Sequence, residues 1–192
     1  MGVYLNPGNV DFQEVLNSKI YVDKSELIQY TNSVLRTTQK YICVSRPRRF
    51  GKSMAANMLT AYYSRGCDSR EMFQGLKIAK HTDFEKHLNQ YNVIHLNMRD
   101  YLTESENMKQ LIQFEEDLLD ELQQEFADLR MPRRRTLVKV LEQAFAQYKI
   151  PFVFIIDEWD CIFRVHKSDA ASQKTYLDFL RNLLKDKSYI AL

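Results

Sequence analysis

Glycine is sparse in this 192-residue chain, at five residues, so a glycine inside a recognisable pattern carries information. Cysteine is sparse too. Cys43, Cys67 and Cys161 are odd in number, and no two stand at metal-ligand spacing. That excludes a disulfide framework and a cysteine zinc site, and it points to a reduced, cytoplasmic setting. Long apolar runs are missing. The longest covers residues 152–156, far short of the ~20 that cross a bilayer, so no membrane span is expected. The opening MGVYLNPGNVDF lacks the basic start and apolar stretch of a secretory signal, and Asn6 at the sixth position excludes a myristoylation site. Charge of one sign is missing as well: a net charge of +2 is too small to argue for nucleic acid or an anionic surface. What is present is the balance of a globular chain, 45% apolar and 27% charged, with no repeat and no low-complexity linker. Residues 1–192 are expected to form one domain, with a segment 1–39 leading into a core of 40–192.

Four short apolar segments read as buried strands: 41–45 (YICVS), 93–97 (VIHLN), 152–156 (FVFII) and 189–192 (YIAL). Between them, apolar residues recur at helical spacing. Residues 53–63 carry Met54, Met58, Leu59 and Tyr62 on one stripe, and 106–129 carry Leu111, Leu118, Leu122, Phe126 and Leu129. Residues 135–148 do the same with Val138, Leu141, Ala144, Phe145 and Tyr148, and 173–185 with Tyr176, Leu177, Leu180, Leu183 and Leu184. A short helix is expected over 24–31. Strands alternating with amphipathic helices predict an α/β fold, a parallel sheet flanked by helices. YIAL has the look of a strand that begins and is not followed by a turn, so the chain is expected to belong to a longer protein.

The stretch CVSRPRRFGKSM joins the first strand to the first long helix. The phosphate-binding Walker A pattern is G-x-x-x-x-G-K-[ST], and its second half is intact as Gly51-Lys52-Ser53. Gly51 lets the backbone turn so that N–H groups face phosphate oxygens, and a helix starting at Lys52 adds its N-terminal partial positive charge. The Lys52 ammonium can bridge the β- and γ-phosphates, and the Ser53 hydroxyl can ligate Mg²⁺. Arg46 stands where the pattern has its first glycine, and Pro47, Arg48, Arg49 and Phe50 fill the loop. Taken alone, a basic strand-to-helix turn that happens to contain GKS is an equal reading.

FVFIIDEWD supplies the second half, the Walker B pattern of an apolar strand ending in acids. Asp157 is expected to hold Mg²⁺ through water or Ser53, and Glu158 to orient or deprotonate the attacking water. Asp-Glu at a strand end can also be a plain helix cap, but downstream of GKS it completes a nucleoside triphosphate site. Glutamate directly after aspartate indicates the ASCE class of P-loop NTPases, which inserts a strand between the two motif strands. The expected spatial order is therefore first, fourth, third, second, with YIAL central. That leaves the first strand as an edge, to be paired between chains or covered by the N-terminal segment.

These residues together resemble the bacterial AAA-ATPase-like family. YVDKS (21–25) is similar to its YVDKT box, and SRPRRFGKS to its RPRRFGKS loop, so Arg46 fits the family's own variant. MFQGLKI (72–78) resembles its LFxGLKI segment, YNVIHLNMRD (91–100) its YPVIxLSFKD strand, and IIDEWD (155–160) its LIDEYD strand end. The motifs keep their order along almost the whole chain. The resemblance implies an AAA-like ATPase that binds ATP with Mg²⁺ on a P-loop NTPase core. Arg46, Pro47, Arg48, Arg49, Phe50, Gly51, Lys52, Ser53 and Met54 would line the nucleotide, Ser53 and Asp157 the metal, and Lys52 and Glu158 would serve hydrolysis. The YVDKS box is placed toward the adenine, with Tyr21 or Lys24 in contact, or else is a packing element. Full-length members often carry a C-terminal PD-(D/E)XK nuclease-type domain, which implies a further domain of the same chain as partner. A homo-oligomer stays open, and no sensor residue or arginine finger is assigned. ATP rather than GTP follows from the resemblance; no Asn-Lys-x-Asp guanine motif occurs.

Two other readings stay open: a non-catalytic module whose arginine-rich loop holds a phosphate-bearing partner or nucleic acid, and an interaction scaffold with a vestigial loop. The remaining features have plainer explanations. Arg130, Arg133, Arg134 and Arg135 read as a solvated helix start, although arginine there opposes the helix dipole. Asp100 reads as a turn residue, His95 as a bonded core histidine and Trp159 as a packing residue. The acids Glu115, Glu116, Asp117, Asp120 and Glu121 read as the wet face of a helix.

Overall fold

The computed structural model describes residues 2–45, 47, 49–100 and 107–192. The chain forms two compact units, Met1–His95 with Ile150–Ile155 and Ile190–Leu192, and Leu96–Lys149 with Ile156–Tyr189. In chain order the helices α1 (Val10–Leu16), α2 (Glu26–Val34), α3 (Lys52–Tyr63), α4 (Arg70–Phe73) and α5 (Phe84–His87) precede strand β1 (Asn92–Asn97). A 3-10 turn, Lys77–Lys80, lies between α4 and α5. Then come α6 (Asn107–Glu125), α7 (Leu137–Tyr148), strand β2 (Phe152–Asp157), α8 (Cys161–Val165) and α9 (Ala170–Leu184).

Strands β1 and β2 pair in parallel, as their apolar sequences predict. The 189–192 segment joins them on the expected side, with a parallel bridge between Phe152 and Ile190. The second, third and fourth segments thus keep the predicted order. The first does not. Among the described residues, 41–45 forms no strand, and Tyr41 and Val44 are exposed. The physical reason lies on its would-be neighbour. The Ile190 carbonyl accepts from the Lys40 ammonium at 3.1 Å and the Ala191 carbonyl from the Arg36 amide at 2.8 Å. Backbone acceptors that a further strand would need are already bonded.

The N-terminal segment covers the opposite edge from the one expected. Leu5 makes an antiparallel bridge to Ile94. The Asn6 amide donates to the Val93 carbonyl at 2.7 Å, and the Val93 amide donates to Asn6 Oδ1 at 2.8 Å. The His95 amide donates to the Tyr4 carbonyl at 3.0 Å. This strap closes the free side of β1.

The core of the first unit gathers Phe12, Ile28, Ala56, Met58, Ala61, Tyr62, Tyr63, Phe73 and Phe84 with Val93, Val153 and Ile155 of the sheet. Helix α3 is its spine. Its buried stripe runs through Ala56, Met58, Thr60, Ala61, Tyr62 and Tyr63, while Met54, expected on the apolar stripe, is exposed. The buried tyrosines are satisfied. Tyr62 donates to the Phe84 carbonyl at 2.7 Å and Tyr63 donates to Asn32 Oδ1 at 2.7 Å. Asn32 Nδ2 donates to the Tyr62 oxygen at 3.1 Å, so the end of α3 is tied to α2. Burial pushes the Tyr63 hydroxyl well above its ordinary range.

Asn89, in the left-handed region at φ 55°, closes the C-terminus of α3. Its Nδ2 donates to the carbonyls of Ala61 at 3.0 Å and Ser64 at 2.7 Å, and its backbone amide to that of Tyr62 at 2.7 Å. These are carbonyls that a helix end leaves without intrahelical partners. His95 is a bonded histidine, with Nδ1 3.1 Å from Thr60 Oγ1.

In the second unit α6 packs on α7 and α7 on α9. Leu118, Leu122, Phe126 and Leu129 are buried as their spacing predicts, with Val140, Leu141, Ala144, Tyr176 and Leu183. The Leu111 side chain lies outside the described residues. The chain leaves α6 four residues earlier than the apolar pattern does, yet Phe126 and Leu129 remain in the core. Asp169 caps α9 by accepting from the Ser172 amide at 3.0 Å, a bond that holds its carboxyl below the usual carboxylate range. Arg130, Arg133, Arg134 and Arg135 are exposed ahead of α7, and Arg135 pairs with Asp120 at 2.9 Å. Asp100 closes a turn with Asn97 at 3.3 Å.

Candidate active site

The GKS stretch folds as a turn that opens directly into a twelve-residue helix. Gly51 is the residue before α3, left-handed at φ 73° and ψ 35°, and as a glycine it brings no capping side chain of its own. Glycine adopts that conformation without steric cost. Arg49 is left-handed as well, at φ 67°, which is uncommon for a residue with a Cβ and marks a loop held in a demanding shape. A left-handed residue followed by helical ones turns successive N–H groups into one concavity, the geometry that holds anions. Arg46 and Arg48 lie outside the described residues.

Two ammonium groups rest on this loop. Lys52 Nζ stands 3.5 Å from the Pro47 carbonyl oxygen. Lys24 Nζ stands 2.8 Å from the Phe50 carbonyl oxygen. Phe50 and Met54 flank the turn at 61% and 40% exposure, and Ser53 is exposed. A helix start, a left-handed glycine and two lysines fit a polyphosphate group.

The YVDKS box is placed by its alternation. Asp23 and Ser25 are turned to the 3-10 turn: Asp23 Oδ2 accepts from the Lys77 amide at 2.9 Å and Ser25 Oγ from the Ile78 amide at 3.1 Å. Asp23 Oδ1 also takes the Ser25 amide at 2.8 Å. These bonds hold the Asp23 carboxyl below its ordinary value against the opposing effect of its burial, which is the largest single influence. Lys24, between the two anchors, points to the loop. Tyr21 instead meets Phe12 edge-on at 6.3 Å, and its hydroxyl is buried near the Lys24 backbone. Burial first, and Asp23 second, push that hydroxyl up. The contact between box and loop lies beyond periodicity, since the sequence separation of Lys24 and Phe50 is 26 residues.

Asp157 ends β2, and its Oδ1 accepts from the Glu158 amide at 2.9 Å. Glu158 is left-handed at φ 53°. Its carboxylate forms an ion pair with Arg164 of α8, and Arg164 also reaches Asp160 at 3.4 Å. The Glu158 bond is the leading reason the guanidinium is held more firmly protonated than usual. The Tyr176 hydroxyl donates to the Trp159 carbonyl at 2.8 Å and fixes the turn between β2 and α8. Trp159 meets Phe163 edge-on at 6.3 Å but remains 42% exposed, so it packs less than its size suggests. Arg164 was not singled out by sequence pattern. Its one signal is the spacing of four from Asp160, which puts both on one helix face.

Among the described residues no three His, Cys, Asp or Glu side chains gather as a metal cage. Ser53 and Asp157 are the donor types that Mg²⁺ takes when phosphates and water fill its other positions. The family model described as Predicted AAA-ATPase matches residues 7–189. The chain belongs to this family. No curated protein and no solved structure matches it. The match to the predicted AAA-ATPases takes in the YVDKS box, the 46–54 loop and the Asp157-Glu158 strand end alike. Among the described residues no helix is long and apolar enough to cross a membrane.

Proposed function

We propose that this predicted AAA-ATPase binds ATP with Mg²⁺ at the loop 46–54 and hydrolyses it, in the P-loop NTPase manner of the ASCE class. The observation that carries the reading is the left-handed Gly51 opening α3 directly at Lys52. In this scheme the first-turn N–H groups of α3 and the Lys52 ammonium neutralise the phosphates. Ser53 and Asp157 hold Mg²⁺, which screens phosphate charge when bound. Glu158 takes the proton of the attacking water, and Arg164 holds its carboxylate in orientation until then. The energy of hydrolysis is coupled to an effector that senses the state of the nucleotide.

The test is calorimetric titration of the chain with Mg-ATP. Lys52→Ala is expected to weaken binding by about a hundredfold, the loss of a charge-assisted phosphate contact. Equal affinity in the two proteins would sink the reading. Salt-dependent binding of a nucleic acid, indifferent to Mg-ATP and to Glu158→Gln, would favour the phosphate-module alternative instead.

A further inference from the structure

We propose that Lys24 is a positioning residue for the phosphate loop, one that orients the Gly51 peptide by holding the carbonyl behind it. The inference rests on the nucleotide reading for its function but on geometry alone for its mechanism.

A trans peptide is planar, and its C=O and N–H point in opposite directions. The 50–51 peptide has its oxygen 2.8 Å from the Lys24 ammonium. Fixing that oxygen fixes the Gly51 N–H on the far side of the plane. Gly51 has no side chain to restrict its own backbone, so without an external hold it would lose the most conformational freedom on ordering. The lysine supplies that hold. It also turns a carbonyl, whose partial negative charge would repel phosphate, toward a cation.

The surroundings explain how one exposed lysine can do this. Lysine carries about 2 kcal/mol of rotamer entropy, so an isolated exposed contact is weak. Lys24, however, stands on a fixed base. Its neighbours Asp23 and Ser25 are both bonded to backbone amides of the Lys77–Lys80 turn, at 2.9 and 3.1 Å. A second tie holds the start of α2 to the same turn, where Lys77 pairs with Glu26 at 2.9 Å. The backbone of Lys24 is therefore held on both sides, which fixes where its side chain starts. The fit is close. A Cβ built on Gly51 would lie 2.9 Å from Lys24 Nζ. The left-handed φ of 73° is what calls for glycine at 51, and the ammonium lies directly against it.

The two lysines then divide the work. Lys52 sits on a loop carbonyl at a long 3.5 Å and is placed to exchange it for phosphate. Lys24, at 2.8 Å, keeps its carbonyl when the ligand arrives. Such a positioning residue acts on the loop shape that every phosphate meets, so its loss is felt by ATP and ADP alike. A direct ligand of the terminal phosphate would be felt by ATP alone.

The experiment compares wild type, Lys24→Met and Lys24→Arg. Without nucleotide, amide hydrogen exchange at Gly51 to Ser53 is expected to speed up roughly tenfold in Lys24→Met, with the melting temperature unchanged, and to return toward wild type in Lys24→Arg. With nucleotide, calorimetry is expected to show Mg-ADP and Mg-ATP weakened by the same factor, roughly tenfold, in Lys24→Met. Unchanged exchange overturns the proposal, as does a loss confined to Mg-ATP, which would make Lys24 a phosphate ligand. Unfolding of Lys24→Met overturns it too, because the lysine would then be holding the fold and not the loop. If wild type binds neither nucleotide, the ATPase reading fails, and the exchange result still decides whether the clamp exists.

Discussion

At its C-terminal end α3 buries Ala61, Tyr62 and Tyr63 completely and ties them to α2, to Phe84 and to Asn89. At its N-terminal end the same helix leaves Ser53 and Met54 exposed and meets the rest of the unit through lysine ammoniums on carbonyls. The difference teaches that a single helix can be locked by packing at one end and left bare at the other. A helix anchored at one end can present the other in a shape that costs free energy, because the anchored turn already fixes its axis.

The contrast can be broken most directly at Tyr62. Its ring meets Tyr63, Phe73 and Phe84 at 4.9, 5.5 and 5.9 Å. Tyr62→Ala is expected to cost about 4 kcal/mol in chemical denaturation, as large aromatic truncations in cores do. A loss under about 1 kcal/mol would mean the anchored end is not where stability resides. Next in size is Asn89→Ala, which leaves helix-end carbonyls unbonded and should cost about 2 kcal/mol by the same measurement.

A smaller effect is expected from pH. His87 lies at the anchored end, its Nδ1 2.7 Å from the Tyr91 hydroxyl, and burial, with Lys86 second, lowers its pKa. The folded chain therefore prefers the neutral ring, and the unfolded chain takes up the proton first. Stability should fall as pH drops below about 6.5 and be flat above it as far as this group is concerned. His87→Phe should flatten part of that acid slope in melting curves taken between pH 5 and 8. The smallest change belongs to the bare end. Met54→Gln should alter stability by less than about 0.5 kcal/mol, so any change it makes in nucleotide affinity reads the site alone.

Much of this was legible in sequence. The apolar runs of β1 and β2, the helices α6, α7 and α9, and GKS at a helix start all follow from period and pattern, although Leu177, expected on the apolar stripe of α9, is exposed. The YICVS segment did not, because its apolar side chains say nothing about whether neighbouring carbonyls are already taken by Arg36 and Lys40. Helix α1 was missed for a different reason. In VDFQEVL only Phe12 is buried, too little to register as a stripe. The place of Lys24 was not legible: the resemblance set it toward the adenine, and the fold has its ammonium on the Phe50 carbonyl, 26 residues away. Asn89 acts through a single side chain placed by a turn and Arg164 through one placed on a five-residue helix, too short for an apolar pattern to announce.

The strap along β1 has a consequence for solubility. An open edge of a parallel sheet is a template for strands of other molecules, and here Leu5 and Asn6 fill it from within the chain. The filling depends on one small residue. A Cβ on Gly66 would lie 2.5 Å from the Asn6 carbonyl oxygen, so any side chain there must lever the strap away. Removing the first six residues, or enlarging Gly66, should turn a protected edge into a sticky one. The symptom would be aggregation that grows with protein concentration while the turn at Gly51 stays intact.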